Sequence, residues 1–112
     1  MKAEQALRKK LNFVFANGVQ VVSLPLVLEG LVRLMHLRVP TIPGSAATAT
    51  LTLEDEDGYE FYNSGAKAEN QNHNLEKELL VAGAMTAKVT LDVAAAGDVT
   101  IPAVFWCYGR QD

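Results

Sequence analysis

Two stretches of this chain alternate between apolar and polar residues with a period of two. In Thr48–Glu54, Ala49, Leu51 and Leu53 share one face, and threonines and Glu54 share the other. Met85–Val93 repeats the pattern, with apolar residues at 85, 87, 89, 91 and 93. A period of two is typical of a strand with one buried and one solvated face, which antiparallel sheets allow. These stretches therefore predict antiparallel β-structure.

The rest of the chain extends this pattern to about eight strands. Turn residues separate the segments at Asn17-Gly18, Gly30, Pro40 to Gly44, Asp57-Gly58, Gly83 and Gly97-Asp98. Short strands at this spacing favour an all-β, single-domain antiparallel sandwich, with a jelly roll as the first choice. The further candidate strands are Asn12–Ala16, Val19–Leu24, Leu26–Glu29, Leu31–Val39, Tyr59–Asn63, Leu75–Val81 and Val99–Tyr108.

Local signals refine this prediction at three positions. Asp57-Gly58 predicts a type I′ hairpin that pairs Thr48–Glu54 with Tyr59–Asn63. Pro25 and Pro102 stand in strand-like runs and should mark sheet margins, because proline cannot donate to the ladder.

Two segments differ from the strand pattern. Residues 2–10 place Ala3, Ala6 and Leu7 at helical spacing, which predicts a short N-terminal helix or arm over residues 1–12, before a β-sandwich domain over residues 13–112. Residues 64–77 are polar and rich in asparagine, which predicts a long exposed loop.

Composition excludes several classes of function. A length of 112 residues fits one domain, and 10 basic against 13 acidic residues give a net charge of −3, so we expect no nucleic-acid partner and no anionic membrane partner. No apolar run reaches the ~20 residues of a membrane helix, and a secretory signal is disfavoured. One cysteine, Cys107, excludes an internal disulfide framework and a cysteine-rich zinc site.

Catalytic and metal motifs receive no support. The acidic run Glu54 to Asp57 fails the calcium-loop spacing, since Leu53 and Ser64 would occupy ligand positions. The chain contains no GxSxG, GxxxxGK[ST] or GxGxxG motif. We therefore expect no enzyme activity, no cofactor and no metal, and Cys107 is assigned to the core.

Binding to a protein or carbohydrate partner is the class of function that remains. His36 and Arg38 share one strand face and could form a positive stripe, and alternation places Trp106 and Tyr108 opposite Phe105 and Cys107. Tryptophan, tyrosine and arginine are enriched at interface hot spots, although an aromatic in a small sandwich is more often core. The candidate interface residues are Arg8, Lys9, Lys10, Arg33, His36, Arg38, His73, Trp106, Tyr108 and Arg110.

Two stretches carry a family resemblance. LTLEDEDGYEFYNSGAKAEN at residues 51–70 and MTAKVTLDVAAAGDVTIPAVFWCYG at residues 85–109, together with the N-terminal arm, resemble the small jelly-roll decoration proteins of short-tailed bacteriophages such as epsilon15. These proteins cement or staple the capsid. The resemblance rests on size and strand pattern, with the textures EDGYEFYNSGA and KVTLDVAAAGDVT, and not on a catalytic signature.

The resemblance implies a virion protein, made in the host cytoplasm, that binds the outer capsid surface and braces major capsid subunits against internal DNA pressure. It implies the capsid lattice as partner and a homo-oligomer, with a dimer favoured. Residues 1–12 and the 64–77 loop would reach neighbouring subunits, so deleting residues 1–10 should weaken shell binding and spare the fold. The alternative is a carbohydrate- or receptor-binding sandwich, in which Tyr59, Tyr62 and Asn63 would contribute.

Overall fold

The computed structural model describes residues 5–45 and 48–109, and they contain eight β-strands and no helix. The side chains of residues 5 and 6 are outside this description. The strands are β1 (Gln5–Phe15), β2 (Val21–Val39), β3 (Thr48–Glu54), β4 (Glu60–Asn63), β5 (Lys67–Ala68), β6 (Gln71–Leu75), β7 (Leu79–Leu91) and β8 (Val99–Gly109).

All strand pairs are antiparallel, and the long strand β2 divides the structure into two layers. Residues 21–32 of β2 pair with β7, which continues to β3 and β4. Residues 31–37 pair with β8, which continues to β1, and residues 35–39 pair with β6. The eight strands form one continuous hydrogen-bonded ladder, which β2 divides into two four-stranded sheets, β1-β8-β2-β6 and β2-β7-β3-β4. This is the strand order of a jelly roll with two successive strands fused into β2. The predicted fold class is confirmed.

The crossing of β2 between the sheets depends on a bulge. Val32 pairs with Cys107 and Leu34 pairs with Trp106, so Arg33 is an extra residue. Before the bulge the buried residues of β2 are even-numbered, as Val32 is, and after it they are odd-numbered, as Met35 is. One inserted residue thus keeps the apolar side of β2 on the core as the strand changes partners.

The core lies between the two layers, and each strand contributes its alternate residues. The buried apolar side chains come from β1, β8 and the second half of β2 on one side and from β3, β7 and the first half of β2 on the other. The largest fully buried side chains are Phe13, Phe15, Phe105, Leu26, Leu28, Met35, Leu37, Leu51, Leu53, Leu91, Ile101 and Val32.

The prediction of an N-terminal helix or arm is wrong over the described residues. Gln5–Phe15 is one strand that pairs with β8 along its whole length, from Gln5 opposite Gly109 to Phe15 opposite Val99. The boundary placed between residues 12 and 13 therefore falls inside β1. The helical spacing was short, and pairing with β8 outweighed it because tertiary contacts override weak local propensity. Residues 1–4 lie outside the described residues.

The 64–77 segment is not the long loop that the sequence predicts. It contains β5, which pairs with β3, and β6, which pairs with β2 from Met35 opposite Leu75 to Val39 opposite Gln71. A short polar edge strand with little buried surface leaves almost no period-two signal in the sequence. The segment thus supplies the edge of a sheet and not a free loop.

Two predicted turns do not occur. Gly30 lies inside β2 and Gly83 lies inside β7, so segments predicted as separate strands are continuous. Both glycines have positive φ, and they stand near each other in the ladder, with Gly30 opposite Val81 and Gly83 opposite Leu28. Both lie near the point where β2 passes from pairing with β7 to pairing with β8, and glycine adopts this backbone conformation without the steric cost of a Cβ.

The hairpin between β3 and β4 is confirmed, but its turn type is not. The amide of Gly58 donates to the carbonyl of Asp55 at 3.1 Å, and Gly58 alone of the turn residues has positive φ. This is a type I turn followed by a glycine bulge and not type I′. The Asp55 carboxylate accepts from the amides of Asp57 and Tyr59, which stabilises the turn.

The two strand prolines lie at sheet margins, as predicted. Pro25 falls in the part of β2 that pairs with β7 alone. Pro102 lies in the part of β8 that pairs with β1 and precedes the ladder with β2, which starts at Ala103.

Candidate functional site: a basic groove on the β1-β8-β2-β6 sheet

The outer face of the β1-β8-β2-β6 sheet gathers side chains from four strands that are far apart in the sequence. Arg8 stands opposite Trp106, which in turn stands opposite Leu34. One rung further, Lys10 stands opposite Val104, which is opposite His36, which is opposite Asn74. Alternation directs this set to the outer face because the intervening residues, such as Phe105 and Leu37, fill the core.

A groove of about 540 Å³ runs across this face, and we call it the basic groove. Its lining residues are Arg8, His36, Leu37, Arg38, Asn72, Asn74, Val104 and Trp106. The guanidinium carbon of Arg8 lies 5.7 Å from the centre of the Trp106 ring, within the range of a cation–π contact. The contact orders a charged and an aromatic side chain at one end of the groove.

Asparagines of β6 form the opposite wall. His36 Nδ1 is 2.7 Å from Asn74 Oδ1, so Nδ1 donates and the amide oxygen accepts. Asn72 stands opposite Arg38 in the same ladder. The groove thus presents guanidinium and amide groups, which are suited to carboxylates, carbonyls and hydroxyls.

The charge of the groove contrasts with that of the whole chain. None of the described residues that line it is acidic, although the chain carries a net charge of −3. A dense group of carboxylates, Glu54 to Asp57, belongs to the β3–β4 hairpin of the other sheet, where Glu54 binds Lys88 Nζ at 2.9 Å. The described lining of the groove is therefore basic, whereas the acidic hairpin belongs to the other sheet.

The structure brings four of the ten predicted interface residues into the groove: Arg8, His36, Arg38 and Trp106. Lys10 is exposed on the same side of β1, next to Arg8. Tyr108 is exposed one rung beyond Trp106, beneath the guanidinium of Arg33 at 5.8 Å.

The other predicted residues lie elsewhere. Arg33 lines a separate cleft with Leu34 and the β6–β7 connection. Lys9 is exposed, but it is opposite Phe105 and has the alternation of the inner face. His73 is opposite the buried Leu37, and its Nε2 lies 2.8 Å from the carbonyl oxygen of Ala68. Arg110 lies outside the described residues.

Sequence reasoning missed Asn72 and Asn74, which line the groove. They were included in a predicted loop, and the available signal was the weak alternation of Asn72 and Asn74 against His73 and Leu75. A further feature appears only in three dimensions. The Trp106 indole Nε1 is buried and has no hydrogen-bond partner among the residues that the structure describes. An unsatisfied buried donor costs about 1–3 kcal/mol.

Cys107 lies in the core, as predicted. It is fully buried, its thiol donates to the carbonyl of Glu29 at 3.4 Å, and burial raises the pKa of the thiol above its ordinary value of 9.0. Burial likewise raises the pKa of Tyr62, which packs against the core. Among the described residues, no group of three His, Cys, Asp or Glu side chains could hold a metal ion. That part of the chain also contains no helix long and apolar enough to cross a membrane.

The fold defines an antiparallel jelly-roll domain, and comparison with solved structures finds that architecture in another protein. A subunit of Bacillus endospore appendages, described as a novel family of disulfide-linked pili, superposes with a TM-score of 0.55 at 11% identity, covering 95% of this chain and 90% of that one. At this identity the similarity shows the fold alone.

Two further structures are more distant. The SPBc2 prophage-derived protein YomS has a TM-score of 0.45 at 17% identity, covering 89% of this chain and 95% of that one. The structure of infectious bursal disease virus Gx strain gives 0.41 at 7% identity, covering 99% of this chain and 35% of that one. No family model and no curated protein matches the chain.

Proposed function

We propose that the protein is a structural component of a bacteriophage particle, which binds the outer surface of the assembled capsid and holds neighbouring capsid subunits together. The observation that carries this proposal is the convergence of Arg8, His36, Arg38 and Trp106 on one groove. These residues come from three strands, and arginine and tryptophan are the residue types that dominate interface energetics. The family resemblance supplies the capsid as the partner and the virion surface as the location.

The mechanism of such a clamp follows from linkage. A protein that binds the assembled lattice and not the free subunits stabilises the lattice by mass action. Contacts to several subunits at once raise the effective affinity without unusually strong single contacts. The rigid two-layer core holds the basic groove in a fixed shape, so little ordering entropy is lost on binding.

The test is co-sedimentation of purified variants with capsid shells of the same phage from which this protein has been removed. Arg38→Glu reverses a charge in the groove, and we expect it to weaken shell binding at least about tenfold, equivalent to about 1.4 kcal/mol. Raising the salt concentration should also weaken binding of the unmodified protein, because exposed charges are screened.

The double variant Asn17→Asp/Ser23→Glu is the matched control. It makes the same two-unit change in net charge at exposed positions outside the groove and outside residues 1–12 and 64–77. We expect shell binding of this variant to be unchanged. Equal losses in the two variants, or no loss in Arg38→Glu, would contradict the role of the groove.

A carbohydrate-binding function is the second candidate, and the groove favours it for a specific reason. An aromatic ring beside planar amide and guanidinium donors, here Trp106 with Asn72, Asn74 and Arg38, suits a sugar ring and its hydroxyls. Tyr59 and Tyr62, the aromatic pair that the sequence suggests for this function, are less suitable, because Tyr62 packs against the core whereas Tyr59 is 72% exposed.

The fluorescence of Trp106, the single tryptophan, separates the two candidates. Titration with neutral and acidic oligosaccharides should leave the emission unchanged if the groove binds a protein shell. A saturable change with a sugar, which Arg38→Glu abolishes, would favour the carbohydrate-binding function.

A further inference from the structure

One sheet edge differs from the others in this protein. Residues Leu79–Met85 of β7 pair with β2 on one side, whereas the ladder with β3 begins only at Thr86. Among the described residues, no strand pairs with the other side of Leu79–Met85. We call this seven-residue segment the open edge.

Other edges of the sandwich carry features that oppose pairing with a second chain. β1 bears Arg8, Lys9 and Lys10, the edge portion of β2 contains Pro25, β4 contains Glu60, and β6 is a strand of only five residues that are mostly polar. Charges, prolines and short length are the usual protection of exposed strands. The stretch from Leu79 to Thr86, LLVAGAMT, contains no charge and no proline. It is therefore the edge best suited to accept another strand.

The surroundings of the open edge are apolar and accessible. Leu80 is 84% exposed and Val27, on the paired strand, is 64% exposed. A cleft of about 260 Å³ separates the open edge from Phe61 and Asp55 of the β3–β4 hairpin. This cleft provides space for a strand at the edge, and an exposed apolar patch of this kind marks an interaction site.

We propose that the occupant is the same edge of a second copy, paired antiparallel about a two-fold axis at Ala82. The sequence is self-complementary in this register. Leu80 would face the partner's Ala84, Val81 the partner's Gly83, and Leu79 the partner's Met85. The first two pairs join a larger side chain to a smaller one, and the third joins Leu79 to Met85. None of these residues is charged, so no like charges meet.

This pairing joins two sandwiches through one continuous sheet. A two-fold contact uses the same patch on both copies and closes after two subunits. Main-chain hydrogen bonds between the two strands provide affinity. The exposed Leu80 of each copy is covered by the partner strand. The inference does not depend on the proposed capsid function, since the basic groove lies on the other sheet.

The test is the mass of the protein in solution, measured by sedimentation equilibrium. The unmodified protein should sediment as a species of twice the 12.1 kDa chain mass. Ala82→Lys places two like charges at the axis, and Ala82→Glu does the same with the opposite sign. Each variant alone should raise the dissociation constant of the dimer at least about tenfold. An equimolar mixture of the two should restore the dimer.

Control variants separate pairing from folding. Ala82 is exposed. Thr100 is also exposed, but it lies on β8, which β2 separates from β7. Thr100→Lys should retain the dimer. Leu80→Lys tests the same edge where the replaced side chain is already in solvent, and circular dichroism verifies that each variant is folded. A monomeric unmodified protein, a dimer that survives Ala82→Lys, or a mixture that stays monomeric would overturn the proposal.

Discussion

At the scale of single residues, Gly30 is the position with the least freedom to vary. Its φ is +126°, and an added Cβ would overlap the carbonyl oxygen of Tyr108. Both the backbone conformation and the close approach of β2 to β8 therefore require glycine. Gly30→Ala should lower the free energy of unfolding by about 3 kcal/mol or more, measured by urea denaturation.

Gly18→Ala provides the comparison for Gly30→Ala. Gly18 also has positive φ, at +88°, but an added Cβ there meets no atom within 4 Å. Only the backbone penalty applies, so we expect a loss of about 1 kcal/mol. If the two variants lost the same free energy, the close contact with Tyr108 would not be a determinant of stability.

Burial of the Cys107 thiol makes the free energy of unfolding depend on pH. Burial raises the pKa of its thiol above 9.0, so the folded state retains the proton after the unfolded chain has lost it. The stabilisation relative to the unfolded state is complete below pH 9.0 and is lost as the pH rises through the folded pKa. Tyr62 contributes in the same direction above its ordinary pKa of 10.0.

Cys107→Ala isolates this effect. Its free energy of unfolding should lie a constant amount below that of the unmodified protein up to pH 9.0 and should approach it above that value. Denaturation curves across this range give the comparison. Parallel curves throughout would contradict a buried, protonated thiol.

At the residue scale, alternation correctly predicted that Phe105 and Cys107 lie on one side of β8 and that Trp106 and Tyr108 lie on the other. Phe105 and Cys107 are buried, and Trp106 and Tyr108 face outward. The sequence could not show that Arg8 lies beside Trp106, because this contact depends on the register of two strands that are distant in the chain. Register between distant strands follows from the assembled core, which no local pattern contains.

At the scale of strands, the pairing of β1 with β8 changes the expected effect of deleting the N-terminal residues. Residues 5–10 pair with Val104–Gly109 of β8. Deleting residues 1–10 would remove the ladder of residues 5–10 with β8 and expose the edge of that strand. We now expect this deletion to destabilise the fold, seen as a lower thermal midpoint by circular dichroism. An unchanged midpoint would restore the free-arm description.

The long strands were predicted as shorter ones for a physical reason. Gly30 and Gly83 are turn signals in local sequence, but each lies in a ladder whose neighbouring rungs are fully paired. Long-range pairing therefore carries the strands through their glycines. In contrast, β3 and β8 were predicted almost to their ends, since alternation continues along them without a glycine or charge run.

At the scale of the whole molecule, the two sheets have different outer surfaces. The β1-β8-β2-β6 sheet carries the basic groove, and the other sheet carries the acidic hairpin and the open edge. Two copies that pair through their open edges would form a dimer with two basic grooves, one on the β1-β8-β2-β6 sheet of each copy. Two grooves in one dimer would raise the affinity for a repeating lattice through effective concentration.

The most direct measurement is binding of the purified protein to capsid shells of the same phage, stripped of this protein, alongside unassembled capsid subunits. The shells and the bound protein are separated by sedimentation and quantified at increasing protein concentration. The proposed function predicts saturable binding to assembled shells and none to free subunits. No binding to intact shells, or equal binding to free subunits, would contradict the claim that this jelly roll stabilises an assembled capsid.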